Sequence, residues 1–199
     1  MSSLHHHLSA LRVEKGHEFT HTSLGPPRGS FYVPSSSNKI FLREYEAAVE
    51  RGEDLHLTER HRHVGPVVVD LDFRFKPTEP MEDPSNLLRR HTEFVEPIVR
   101  VYCEAMVNLV ETPDKFEVYV TEKPGPRLDK GFLKDGIHLT VPQIVIRPSI
   151  QLMLREDVLG PLSAILGPLN LANQIEDVVD EAVIERNNWM MYGLSLIHI

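Results

Sequence analysis

Val67-Val-Val-Asp-Leu-Asp-Phe-Arg-Phe75 is the stretch on which the fold turns. Val67, Val69, Leu71, Phe73 and Phe75 take the odd positions, and Val68, Asp70, Asp72 and Arg74 the even ones. Alternation with period two predicts a strand that lays one face on a core and turns a more polar face away. Asp70 and Asp72 then project from the same face, about 6.5–7 Å apart along the chain. Asp is disfavoured in strands, so two in one strand need a reason. Carboxylates at that spacing can share or flank a hard divalent cation such as Mg²⁺ or Mn²⁺; a solvated pair on a surface strand is the alternative.

Working outward, a second alternating run, Gly136-Ile-His-Leu-Thr-Val141, sets Ile137, Leu139 and Val141 against Gly136, His138 and Thr140. A third strand is expected at 116–122. Leu88, Phe94, Val95, Ile98, Val99, Tyr102, Met106 and Leu109 share one stripe of a long helix over 85–111, preceded by a Pro-rich acidic loop at 76–84. Pro148 opens a helix reaching about 166, with Gly160-Pro161 as a kink or break. The spacing of Ile175, Val178, Val179, Ala182 and Val183 predicts a helix over 172–184. Strands with apolar backs and polar fronts, interleaved with helices, give an α/β (α+β) fold of two layers, one sheet with helices on one side.

Residues 1–30 are rich in Ser, His, Gly and Pro and read as loop, with His5-His6-His7 on the surface. Ser35-Ser-Ser-Asn38 offers N-caps for a helix over 39–51 that Gly52 ends. His56, Glu59, His61 and His63 lie in a short polar connector and are expected to be solvated rather than a metal cluster. Cys103, the single cysteine, falls in the long helix and is expected to be a buried structural thiol. No run of about 18 apolar residues and no signal pattern occurs, so a soluble, intracellular protein is expected. The net charge of −8 argues against a general nucleic-acid footprint. The loop 123–134 nonetheless carries Lys123, Arg127, Lys130 and Lys134 against Asp129 alone, a local basic cluster that is either a solvated loop or a contact for template phosphates.

Carboxylates for a metal, with a lysine and a histidine for phosphate, are the parts of phosphoryl or nucleotidyl transfer. Asp-x-Asp also serves nucleases and glycosyltransferases, so the pair alone names no reaction. The ordered set Asp70-Leu-Asp72, Lys134-Asp-Gly-Ile-His138, then Asp180 before Glu185-Arg-Asn-Asn-Trp-Met-Met-Tyr-Gly193 resembles the archaeo-eukaryotic primase superfamily. Within it the chain is similar to the primase-polymerase domain of the primase-helicases of large nucleocytoplasmic DNA viruses. The resemblance runs from Thr20-His-Thr22 to Gly193.

That resemblance implies a primase-type fold with an RRM-like mixed or antiparallel sheet, and a DNA primase or polymerase acting in viral replication. It implies a two-metal mechanism, with two Mg²⁺ or Mn²⁺ ions held by Asp70, Asp72 and Asp180, and catalytic roles for Asp70, Asp72 and His138. Nucleotide contacts fall to Lys134, Gly136, His138, Arg186 and Asn187. Gly136 stands where the family often carries Ser, leaving a backbone N–H. The implied partners are nucleoside triphosphates, a single-stranded DNA template and a C-terminal helicase, in the host cytoplasm or nucleus and without a membrane. A non-catalytic nucleic-acid-binding module is the competing reading. Residues 1–193 are expected to be one catalytic domain truncated at its C-terminal end. Leu194-Ser-Leu-Ile-His-Ile199 is the translation of a nucleotide run that resembles the transposon-end adapter of sequencing libraries, so residues 194–199 are expected to be read-through.

Overall fold

The computed structural model describes residues 3–77, 91–123 and 125–192. In chain order these form helix α1 (Ser3–Ala10), strands β1 (Arg12–Val13), β2 (His21–Ser23) and β3 (Gly29–Phe31), helix α2 (Asn38–Glu50), strand β4 (Leu57–Glu59) and the long strand β5 (Gly65–Phe75). Helix α3 (Val95–Leu109), strands β6 (Tyr119–Glu122), β7 (Arg127–Asp129) and β8 (Phe132–Ile146), helix α4 (Pro148–Leu166), the one-turn helices α5 (Ile175–Val178) and α6 (Ala182–Glu185) and strand β9 (Trp189–Met190) follow. The chain divides into two compact units, one built before His63 and after Arg186, the other running His63–Arg186. The α+β class expected from the alternating strands holds.

The His63–Arg186 unit is a four-stranded antiparallel sheet, β5-β8-β6 with β7 also paired to β8. Val67, Val69, Leu71, Phe73 and Phe75 of β5 meet Leu133, Ile137, Leu139 and Val141 of β8 in one buried cluster. Ile98, Tyr102 and Met106 of α3 and Leu154, Val158, Leu162 and Leu166 of α4 close that cluster. Each fully buried Leu, Ile or Phe contributes ~1.5–3 kcal/mol, so the odd face of β5 is bound to the helices and its even face is left for chemistry. A one-residue slip would exchange the two faces.

In α4 the four leucine and valine positions recur every fourth residue, and this stripe carries the helix through Gly160-Pro161 without a break. Pro148 sits in the first turn, where its missing N–H costs nothing. The helix α3 is shorter than the stripe predicted: a 3-10 turn at Thr92–Phe94 precedes it, and 85–90 lie outside the described residues, as do 78–84 of the predicted acidic loop and 193–199 of the chain end. Cys103 is half-buried at the margin of the core, where burial followed by the charge of Glu104 raises its thiol pKa.

Two expectations are corrected here. The basic loop of 123–134 is largely a hairpin, since Arg127, Leu128 and Asp129 pair with Lys134, Leu133 and Phe132 around Lys130 (φ 49°) and Gly131 (φ 80°). The predicted helix over 172–184 is two single turns separated by extended chain at Val179 (φ −91°, ψ 91°). Tertiary contacts override the helical spacing. The outer edge of β5 needs backbone partners, and this segment supplies them: Ala172 N–H donates to Arg74 O (2.7 Å), Asp180 N–H to Asp70 O (3.0 Å), and Val179 bridges Leu71. Asn173 completes the edge, its amide donating to Asp72 O (2.8 Å) and its carbonyl accepting Arg74 N–H (3.1 Å). Buried Arg155 fixes the same segment by donating to the carbonyls of Val179 (3.0 Å) and Glu176 (2.8 Å).

The other unit was read as loop over residues 1–30, and here it holds a helix and three strands. Its antiparallel sheet runs β1-β3-β2-β4-β9, and Leu4, Leu8, Phe31, Val33, Phe41, Tyr45, Ala48, Leu55 and Leu57 form its core. The strands are two or three residues long, too short to show a period. His7 of the triple histidine lies in α1 and its Nδ1 is 2.7 Å from Glu44 Oε2. Helix α2 starts after Ser37 as expected, but the Ser37 hydroxyl donates to Pro34 O (3.2 Å) rather than capping. Glu59 belongs to β4, and His61 Nε2 donates to Asn187 O (2.8 Å).

Candidate functional site

Pairing between β5 and β8 sets the site. Asp70 stands opposite His138, Asp72 opposite Gly136 and Arg74 opposite Lys134. Opposed residues of an antiparallel pair share a face, so these side chains lie together on the face away from α3 and α4. On the far side of β8, Thr121 is opposite His138, and Lys123 follows two residues on, its N–H donating to Gly136 O (3.3 Å). On the outer side of β5, Val179 bridges Leu71 and Asp180 donates to Asp70 O. That register puts Asp180 on the same face as Asp70.

Asp70 is the most withdrawn of the carboxylates, its side chain 8% exposed against 32% for Asp72. His138 Nε2 is 3.2 Å from Asp70 Oδ1. Burial would raise the pKa of Asp70, but the hydrogen bond from His138, the Lys123 ammonium and the His138 charge outweigh it and hold the carboxyl below its usual range. It is therefore an anion at neutral pH. Lys123 reaches over the pair: its Nζ contacts Asp72 Oδ1 and lies 3.8 Å from Asp70 Oδ1.

Gly136 is required by space, not by conformation. A Cβ built there would fall on the carbonyl oxygen of Leu71 and come within 3.1 Å of Lys123 Nζ and 3.3 Å of Asp72 Oδ1. Serine, frequent at this place in the family the motifs resemble, does not fit this site. The Gly136 N–H donates to its own neighbour, the Asp135 carboxylate (2.8 Å). Asp135 points to the helix side, 2% exposed, with Oδ2 3.3 Å from His91 Nδ1. His91, wholly buried, stacks on Phe73 with ring centroids 5.0 Å apart, and its Nε2 is 3.5 Å from Glu122 Oε1. A buried His-carboxylate group thus backs the strand positions that carry Gly136 and Asp72.

The sequence-predicted residues fall as follows. Asp70, Asp72, Gly136 and His138 are brought together. Lys134 shares their face, but its Nζ pairs with Asp129 Oδ2 at 2.7 Å. Asp180 is half-buried, and its Oδ1 accepts the Ala182 N–H (2.8 Å). No group of three or more His, Cys, Asp and Glu side chains among the described residues is close enough to hold a metal ion together. Arg186 is exposed at the end of this unit, 3.3 Å from Glu181. Asn187 belongs to the other unit. The place of Lys123 beside the carboxylates was missed because Lys123 was read as the start of a loop. The alternation Tyr119, Thr121, Lys123 carried the signal. His91, Asp135, Asn173 and Arg155 had none: each acts through a residue far off in sequence.

Comparison with known proteins gives a family and relatives. Residues 20–195 match a family model described as C962R protein N-terminal AEP domain. The chain is 35% identical over 189 residues to a protein of Acanthamoeba polyphaga mimivirus named "Putative helicase L207/L206", a match covering 92% of this chain and 19% of that protein. It is 26% identical over 195 residues to "Putative helicase 121R" of Invertebrate iridescent virus 3, covering 89% of this chain and 20% of the relative. The chain thus spans about a fifth of the length of the curated relatives it matches. No helix among the described residues is long and apolar enough to cross a membrane.

Proposed function

Since the chain belongs to the C962R protein N-terminal AEP domain family, a primase-type replication family, we propose that it is the catalytic region of a viral DNA primase-polymerase. It would join nucleotides from nucleoside triphosphates to a 3′-hydroxyl along a single-stranded DNA template. The observation that carries this reading is the register of β5 and β8, which sets Asp70 and Asp72 beside His138 and Gly136 on the sheet face free of helices, with Asp180 next to Asp70.

The donor chemistry fits Mg²⁺ or Mn²⁺. Two carboxylates stand on one strand face, the more buried one kept anionic, and a cation, the Lys123 ammonium, is already drawn to the pair. Asp70 and Asp72 would hold the ion and Asp180 would complete the set; when bound, the ion would activate the attacking hydroxyl and offset charge on the leaving pyrophosphate. The protein's own part is positioning and electrostatics. His138 holds Asp70 in place and would meet the triphosphate from β8, with Lys134 four residues away on the same face. Arg186, at the end of the same unit, would be a further nucleotide contact. Template contacts from Arg127 and Lys130 would be to phosphate and salt-sensitive. The partial coverage of helicase-named relatives supports a C-terminal helicase in the full protein.

The test is template-dependent incorporation of labelled nucleotides with Mn²⁺, by this chain and by a form extended with native downstream sequence, each beside Asp70→Ala/Asp72→Ala. Synthesis that the double substitution abolishes is expected. No synthesis from the extended form, with DNA binding unchanged by the substitutions, would instead favour the non-catalytic binding module.

A further inference from the structure

Resting on the reading just given, we infer that Lys123 couples metal binding to nucleotide binding: its ammonium, in contact with Asp72 and 3.8 Å from Asp70, is a tethered cation that the divalent ion displaces and that the triphosphate then receives.

The placement is built rather than incidental. Lys123 is anchored through its backbone to Gly136 O, and its ammonium passes over a residue that has no side chain to block it, 3.1 Å from where a Cβ at 136 would stand. Only 20% of the side chain is exposed. The four-carbon stem lets the ammonium move while the backbone stays fixed. Lys134 is not placed to do the same, since its ammonium is engaged with Asp129 in the hairpin.

Charge decides the sequence of events. Asp70 and Asp72 contribute two negative charges, and Lys123 returns one positive charge to them. A divalent ion entering between the carboxylates must displace the ammonium, which would otherwise be a like charge at close range. With no nucleotide present the displaced ammonium gives up its contacts with Asp72 and Asp70 and gains no triphosphate in exchange, so the ion binds weakly. With a triphosphate present it gains a stronger anion, so the ion and the nucleotide each tighten the other. The effect is reciprocal because both draw on one displacement. The carboxylate pair is meanwhile kept partly neutralised whenever no substrate is bound.

The experiment is Mn²⁺ titration followed by electron paramagnetic resonance, on the 199-residue chain, with and without a non-hydrolysable nucleoside triphosphate analogue and corrected for metal held by the analogue in solution. Lys123→Gln is expected to bind Mn²⁺ about tenfold more tightly than wild type without nucleotide, and to lose about the same factor of metal-nucleotide coupling. Lys123→Arg keeps the charge and is expected to stay within about threefold of wild type on both readouts. Equal or weaker Mn²⁺ binding by Lys123→Gln, at a site that Asp72→Asn abolishes, would overturn the role of Lys123 and leave the primase reading standing. Absence of any Mn²⁺ site sensitive to Asp70→Asn in all the proteins, with or without nucleotide, would overturn both.

Discussion

Gly136→Ala gives the most direct measure of how tightly the site is built. In an ordinary strand the change would help, since glycine there costs roughly 0.5–1 kcal/mol relative to alanine. Here the new methyl group meets the Leu71 carbonyl oxygen, part of the adjacent strand, which cannot move without dragging the β5 ladder. Overpacking of this kind costs roughly 1–3 kcal/mol, so a net loss of about 1–2 kcal/mol remains. With a urea slope of about 1–3 kcal/mol per molar, the unfolding midpoint should fall by about 0.5–1 M, followed by far-ultraviolet circular dichroism. The methyl group also crowds Lys123 Nζ and Asp72 Oδ1, so Mn²⁺ binding should change along with stability. A Gly136→Ala protein as stable as wild type, with unaltered Mn²⁺ binding, would refute the claim that space at this position shapes the site.

Three further outcomes are expected. His91→Ala should cost about 2–5 kcal/mol by emptying a wholly buried site stacked on Phe73 and removing the imidazole beside Asp135, and adding Asp135→Asn should recover part of that loss; a cycle with no coupling between the two would refute the pairing. Arg155→Lys cannot reproduce both bonds to Val179 O and Glu176 O and should cost about 2 kcal/mol, with faster hydrogen exchange at the Asp180 amide; unchanged exchange would detach Arg155 from that segment. His21, packed on Phe41 and held to a pKa of about 4 by burial and then by the charge of Arg62, resists protonation in the folded state, while the unfolded chain takes up the proton near 6.5. Stability is therefore full above about pH 6.5 and falls with pH down to about 4, by about 2 kcal/mol between pH 7 and 4.5, with Trp189 fluorescence as the probe and His21→Phe removing the slope.

How much was legible depended on the range of each interaction. The alternation of Val67 to Phe75 and of Gly136 to Val141 declared strand, face and partner, because a long, half-buried strand repeats its environment every second residue. The extent of α4 was legible from Pro148, but the break expected at Gly160-Pro161 is absent because the stripe of Leu154, Val158, Leu162 and Leu166 packs through it. The segment 172–184 misled because helical spacing was real but weaker than the demand of an unpaired β5 edge. The short strands of the first unit repeat nothing and leave no period to read. At the site, motif order brought Asp70, Asp72, Gly136 and His138 together, whereas Lys123 became visible only once β6 was paired to β8.

The clamp of Asn173 on β5 has a consequence for synthesis. Asn173 follows Asp72 by 101 residues, and at roughly 5–20 residues per second a ribosome needs about 5–20 s to make that interval. Throughout it, the outer edge of an apolar strand is without its cover, the situation in which strands of different chains pair with one another. Charges along such a strand are the usual protection, and here Asp70, Asp72 and Arg74 supply them. The nascent chain is thus guarded against aggregation by the same side chains that the finished protein gathers at its site.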